Sequence, residues 1–185
     1  MVLYVNACVR QESRTDRIAK ELLKKLGGNY YELKLSKQSL EPLSEEKLNK
    51  RMALVSAGDY SDSMFDLAKQ FAAADKIVIG APFWDGSFPS ALKVYIENIY
   101  CIGIVSEYDE NAMPRGLCKA DKLYYVTTAG GPLITDFGYD YIKAIATTCF
   151  GIKETKLIKA EMLDVDGFDA QAIVEQTIAG LDEVL

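Results

Sequence analysis

The segment Lys76-Ile77-Val78-Ile79-Gly80-Ala81 places no polar side chain after its first residue. A strand with one wet face alternates apolar and polar residues, whereas an unbroken apolar run belongs to a strand covered on both faces. Four further β-branched or aromatic runs accompany it: Val2–Asn6, Tyr30–Leu35, Lys122–Thr128 and Lys156–Met162. The segments between them change to helical spacing. Ile18, Leu22, Leu23 and Leu26 share one face and stop at Gly27-Gly28. Met64, Phe65, Ala68, Phe71 and Ala72 repeat the pattern behind Ser61 and Asp62, either of which suits an N-cap. Leu92, Tyr95, Ile96 and Ile99 do so behind Pro89, a first-turn proline. Helices are also expected at 138–149 and at 169–184, the latter with Ile173, Val174, Ile178 and Leu181 inward. Residues 36–60 read as a loop with a short charged helix around Glu45–Val55.

Strand and helix alternating five times predicts an α/β, three-layer sandwich around a parallel sheet. Five strands at this spacing favour the flavodoxin-like order 2-1-3-4-5. At 185 residues the chain is expected to be a single domain over 1–185. Ligands of such sheets bind beyond the carboxyl ends of the strands, near the switch point between strands 1 and 3. The loops after strands 1, 3 and 4 are therefore where chemistry is expected.

Composition removes several function classes. The chain has no histidine, which excludes Ser-His-Asp and Cys-His catalysis and imidazole metal sites. Its 21 Lys and Arg against 27 Asp and Glu leave a formal charge of −6, unfavourable for nucleic acid. None of the four cysteines, Cys8, Cys101, Cys118 and Cys149, forms a CxxC pair, so a zinc ribbon is not expected. The N-terminus lacks a basic region ahead of an apolar core, and the most apolar helix is interrupted by Lys93, Glu97 and Asn98. The expectation is a cytoplasmic protein with no membrane span and no metal.

The first loop, Asn6-Ala7-Cys8-Val9-Arg10-Gln11-Glu12-Ser13-Arg14-Thr15, contains neither GxGxxG nor a Walker A glycine pattern. It does join two hydroxyls and two guanidinium groups to a helix start, the parts of a phosphate site. Ser13 or Thr15 as a plain cap, with solvated arginines, is the competing reading. Cys8 and Arg14 also reproduce the Cys-x5-Arg spacing of thiol phosphatases. Glu12 would oppose both the anion and the thiolate, no proline follows an aspartate to supply a general acid, and Cys8 reads better as a small buried hydrophobe. The second loop, Ala81-Pro82-Phe83-Trp84-Asp85-Gly86-Ser87-Phe88-Pro89, crowds three aromatics, including the one tryptophan, at the ligand edge. A flat aromatic ligand would account for them, and packing under the next helix is the alternative for Phe83 or Phe88. The third loop, Thr127-Thr128-Ala129-Gly130-Gly131-Pro132, offers paired glycines for backbone contacts, or is a plain turn.

A phosphate end, an aromatic slab and a glycine edge suit a ring system with a phosphate tail, and FMN is the simplest such ligand. In "NACVRQESRTDRIAKEL", "APFWDGSFPSALKVYIE", "EYDENAMPRGL" and "VTTAGGP" the sequence resembles the flavodoxin-like NAD(P)H-dependent FMN oxidoreductases, a family of quinone oxidoreductases and azoreductases. The resemblance implies phosphate contacts at Ser13, Arg14 and Thr15. It implies ring contacts at Pro82, Phe83, Trp84 and Asp85, and further contacts at Thr128, Ala129, Gly130 and Gly131. It also implies NADH or NADPH as donor and a homodimer in which Tyr108 enters the partner's substrate pocket. Tyr95, Tyr100 and Tyr108, in or just after the helix that follows the second loop, are aromatics of the kind enriched at interfaces, with core packing the competing reading for Tyr95. The chain departs from related azoreductases, which often have asparagine at Asp85, an aromatic at Gly86 and arginine at Ala129. With FMN bound, hydride would pass from nicotinamide through flavin N5 to a quinone, azo or nitroaromatic acceptor by a ping-pong route, with no catalytic side chain needed. A non-catalytic flavodoxin-type electron carrier is the alternative, and the Cys8/Arg14 phosphatase the third reading.

Overall fold

In the computed structural model, which describes residues 1–135 and 137–185, strand β1 (Val2–Asn6) leads into α1 (Arg14–Lys25) and β2 (Tyr30–Lys34). The chain continues through α2 (Glu45–Ser56), α3 (Asp66–Ala73), β3 (Lys76–Gly80) and α4 (Ser90–Ile99). A short hairpin, β4 (Ser106–Tyr108) with β5 (Pro114–Gly116), precedes β6 (Lys122–Thr128), α5 (Tyr139–Thr148), β7 (Glu154–Ala160) and α6 (Ala170–Ala179). The main sheet is parallel in the order β2-β1-β3-β6-β7, which is 2-1-3-4-5 when its five strands are counted alone. β3 sits in the middle, as its unbroken apolar run requires.

Strand periodicity divides the core into two layers. Leu3, Val5, Ile77, Ile79, Leu123 and Tyr125 point to one face, where Phe71 of α3, Leu92, Tyr95 and Ile99 of α4, and Ile142 of α5 cover them. Tyr4, Val78, Tyr124 and Val126 point to the other, under Ile18, Leu22 and Leu23 of α1 and Val174 of α6. Each fully buried aliphatic or aromatic side chain contributes about 1.5–3 kcal/mol. The charged α2 buries none of its residues completely. Asp62, and not Ser61, caps the 3₁₀ turn Ser63–Phe65 that leads into α3, accepting from the Met64 amide at 3.0 Å.

The structure corrects the bounds of two elements and adds a third. The last sheet strand runs over Glu154–Ala160 instead of 156–162, in register with β6 from Lys122↔Glu154 to Thr128↔Ala160. Glu154 and Lys156 are polar because β7 is an edge strand, and that polarity disguises its start. The final helix ends at Ala179 and tightens into a 3₁₀ turn over Gly180–Val184. The β4–β5 hairpin was not anticipated, since three-residue strands are too short for alternation to register.

The hairpin rests on the turn after α5: Cys118 N donates to Phe150 O at 3.2 Å, and a Cβ on Gly116 would collide with the backbone of Phe150 and Gly151. Gly116→Ala is therefore expected to lower stability by about 2–3 kcal/mol, because backbone cannot give way cheaply. Gly180→Ala, whose added methyl group meets nothing within 4 Å, should change it by less than about 0.5 kcal/mol. Thermal melts of the two variants beside the parent check the contrast, and equal midpoints would refute the tight docking of the hairpin.

Candidate functional site

A buried carboxylate fixes the start of α1. Asp16, in the first turn, accepts from Tyr4 OH at 2.8 Å, Asn6 Nδ2 at 2.9 Å and Lys20 Nζ at 2.7 Å. Asn6 also turns the chain after β1, its Oδ1 accepting from Cys8 N at 2.9 Å. Ser13 is the N-cap, its hydroxyl accepting from Asp16 N. Helix geometry leaves the N–H groups of Arg14 and Thr15 without intrahelical acceptors, at the positive end of the helix dipole.

The other loops are stitched to this end of the sheet. Ala81 N and Phe83 N donate to Val126 O and Thr128 O, which extends the β3–β6 pairing past the strands. Thr15 Oγ1 and Thr128 Oγ1 lie 2.6 Å apart and join α1 to the end of β6. Gly130 and its neighbours are tied to the loop after β7: Leu163 N donates to Ala129 O, Asp164 N to Gly130 O and Met162 N to Gly131 O. Glu161 adds a side-chain bond from Leu133 N at 2.6 Å and an ion pair with Lys159. These two contacts, the lysine's first, hold its carboxyl below the usual range.

Between the loops lies a cleft of about 390 Å³ at the carboxyl edge of the sheet. One wall carries Arg10, Glu12, Ser13, Arg14 and Thr15; another carries Pro82, Phe83 and Trp84; Thr128, Ala129 and Gly130 form a third. Nine of the residues expected at a site therefore meet around one space. Asp85 and Gly131 do not line it. Asp85 (φ 49°) and Gly86 (φ 86°) form the centre of a tight turn closed by mutual bonds between Trp84 and Ser87 at 2.8–2.9 Å. Asp-Gly suits such a turn, in which both central residues take positive φ. Tyr108 is also outside the cleft, on the hairpin and 63% exposed. Of the loop aromatics, Phe88 packs against Tyr141 at 5.7 Å between ring centroids, while Phe83 and Trp84 face the cleft.

Two side chains change their expected standing. Arg14 Nη1 donates to Asp164 Oδ1 at 2.8 Å and to Leu163 O at 3.1 Å, so an internal carboxylate already meets this arginine. Cys8 is buried, its thiol directed to Gly80 O, and burial pushes its pKa up to about 11. It does not line the cleft, which removes the thiolate that a phosphatase reaction would need. Sequence reasoning missed Val9, Arg10, Glu12, Leu163 and Asp164 as wall residues. Arg10 was visible as a second guanidinium in the first loop, and it makes no ion pair among the described residues. Leu163 and Asp164 were hidden by the displaced reading of the last strand, which left no fourth loop to inspect.

The donor set suits a flavin mononucleotide. Ser13, two arginines and a helix N-terminus line the same cleft as an aromatic and proline wall, and the volume falls in the ordinary range for small-ligand sites, about 300–1,000 Å³. Among the described residues no cluster could hold a metal ion, and no helix is long and apolar enough to cross a membrane.

A family model described as a flavodoxin-like fold matches residues 1–185. An FMN-dependent NADH:quinone oxidoreductase of Clostridium acetobutylicum is 34% identical, with 96% of this chain and 94% of that protein covered. The corresponding enzyme of Coprothermobacter proteolyticus is 31% identical, covering 99% and 96%. In fold, the chain is similar to the crystal structure of an FMN-dependent NADH-azoreductase from Bacillus anthracis in complex with FMN. There the TM-score is 0.81 at 19% identity, covering 99% of this chain and 96% of that one. With the family model spanning all 185 residues and relatives above 30% identity along nearly the whole length, this chain belongs to the flavodoxin-like fold family, in the group of FMN-dependent NADH:quinone oxidoreductases.

Proposed function

We propose that this chain is an FMN-dependent oxidoreductase that takes electrons from NADH or NADPH and delivers them to a quinone, azo or nitroaromatic acceptor in alternating half-reactions. Residues 1–185 act in this reading as one flavin-binding domain. The observation that carries it is a cleft lined both by the phosphate-type groups of Ser13 and the start of α1 and by the apolar groups of Pro82, Phe83 and Trp84. When bound, FMN supplies the redox chemistry, taking a hydride from the nicotinamide and giving up two electrons to the acceptor.

The chain's own residues bind and orient. Ser13, the first amides of α1, Arg10 and Arg14 hold the phosphate, and charged hydrogen bonds of this kind contribute about 1.5–3 kcal/mol each. Thr15 is fully buried and spends its hydroxyl on Thr128, so it contributes its backbone N–H and the link between two walls. Pro82, Phe83 and Trp84 form the apolar bed of the ring, with Ala129 and Gly130 at its edge. Trp84, 42% exposed, leaves the cleft open to a flat second ligand beside it. Asp85 shapes the turn that presents Trp84.

Homodimerisation completes the reading. Tyr108, Met113 and Leu117 are exposed on or beside the hairpin, an apolar group suited to a partner's surface. Tyr95 takes no part, being fully buried in the core, and Tyr100 packs on Phe150 at 5.5 Å.

Arg14→Ala is expected to weaken FMN by about 2 kcal/mol while riboflavin, which lacks the phosphate, shifts by less than about 0.5 kcal/mol. Fluorescence quenching titrations of both flavins check this, and equal losses for the two would move the phosphate away from Arg14. Sedimentation should give a mass twice that of the chain, and Tyr108→Asp together with Met113→Asp should shift it toward the monomer. An active, flavin-loaded monomer at micromolar concentration would refute the dimer.

A further inference from the structure

The phosphate end of the cleft contains its own anion. Asp164 reaches Arg14 from the loop after β7, 150 positions along the chain, and three contacts fix it there. Asp164 N donates to Gly130 O at 2.9 Å, and Leu163 O accepts from the same guanidinium nitrogen that Asp164 contacts. Gly130 leaves the room: a Cβ there would lie 2.6 Å from Asp164 Oδ2 and 3.2 Å from its Cβ. A side chain at position 130 would force the carboxylate to shift.

The pair is exposed, with 46% of the Arg14 and 68% of the Asp164 side chain in solvent, and an exposed pair contributes little to folding stability. What it changes is the charge offered to a ligand. Glu12 and Asp164 stand in the wall against Arg10 and Arg14, so the four side chains sum to a formal charge of zero. Both bonds of Arg14 are made by Nη1, which leaves its other nitrogens for an incoming anion, beside a carboxylate that repels it.

We propose that Asp164 is an affinity-setting residue, an internal competitor that occupies Arg14 and lowers the hold of the cleft on a phosphate monoester, so that the flavin exchanges readily. The proposal rests on the FMN reading above and concerns only the phosphate. The binding site then keeps its selectivity through the helix amides, Ser13 and Arg10, while Asp164 sets how long the ligand stays.

The test uses the full chain, its Asp164→Asn and Asp164→Glu variants, and quenching titrations with FMN and riboflavin at low and high salt. Asp164→Asn should tighten FMN about tenfold at low salt, the size of effect that one charged contact carries, and should leave riboflavin within about twofold. The gain should shrink at high salt, because the pair is exposed. Asp164→Glu, which keeps the charge, should behave like the parent. Weaker FMN binding by Asp164→Asn would make Asp164 a positioning group for Arg14 and overturn the proposal. Parallel shifts for both flavins, or no shift for either, would overturn it while leaving the FMN reading intact. Failure of every variant, parent included, to bind either flavin would bring down the FMN reading and the proposal with it.

Discussion

The cleft depends on one buried charge. Asp16 sits in the first turn of α1, almost shielded from water, where an unpaired carboxylate would cost several kcal/mol. It is tolerated because Tyr4, Asn6 and Lys20 all donate to it. Tyr4 and Asn6 are the third and last residues of β1, so the carboxylate locks the N-terminus of α1 to the end of the first strand. Asn6 extends the lock to β2 through Glu32 at 2.6 Å and to the first loop through Cys8 N. With this end of α1 fixed, Thr15 meets Thr128, and Arg14 meets the loop after β7.

Under the proposed function, the same arrangement lets a cleft in an acidic protein accept an anion. Net charge acts over distances that salt screens, whereas in the proposed reading a phosphate is held at hydrogen-bonding range by oriented amides and guanidinium groups. The local charge is nonetheless balanced, with Glu12 and Asp164 against Arg10 and Arg14. Such a site discriminates by geometry more than by attraction. The apolar wall of Pro82, Phe83 and Trp84 supplies the burial that a neutral ring system can use.

The fold was legible because its signals are local and periodic. The run at Ile77-Val78-Ile79 declares a covered strand, and the spacing of Ile18, Leu22 and Leu23 declares a helix packed on one face. The three predicted loops meet at one cleft because strand order places them there, and nine of the eleven expected cofactor contacts line it. What stayed hidden is non-local. The Arg14–Asp164 pair joins residues 150 positions apart, and Gly130 reveals its purpose only beside the carboxylate it admits. Reading the last strand two residues late concealed Leu163 and Asp164, because the charged start of an edge strand looks like a loop. At Asp85 the two signals point to different places: its Asp-Gly pair announces a tight turn, which the structure shows, while the ring contact implied by the resemblance falls on a residue that does not line the cleft.

An enzyme and an electron carrier would bind flavin in the same cleft, and they differ in whether a nicotinamide reduces it directly. The direct measurement is anaerobic mixing of the FMN-loaded protein with NADH and, in parallel, NADPH, following the visible flavin absorbance in a stopped-flow instrument. At least one nicotinamide should bleach the flavin without an added reductase, and a quinone added afterwards should restore the colour. Bound flavin that keeps its absorbance with both donors, yet is bleached once a separate reductase is supplied, would contradict the proposed function and mark the chain as an electron carrier.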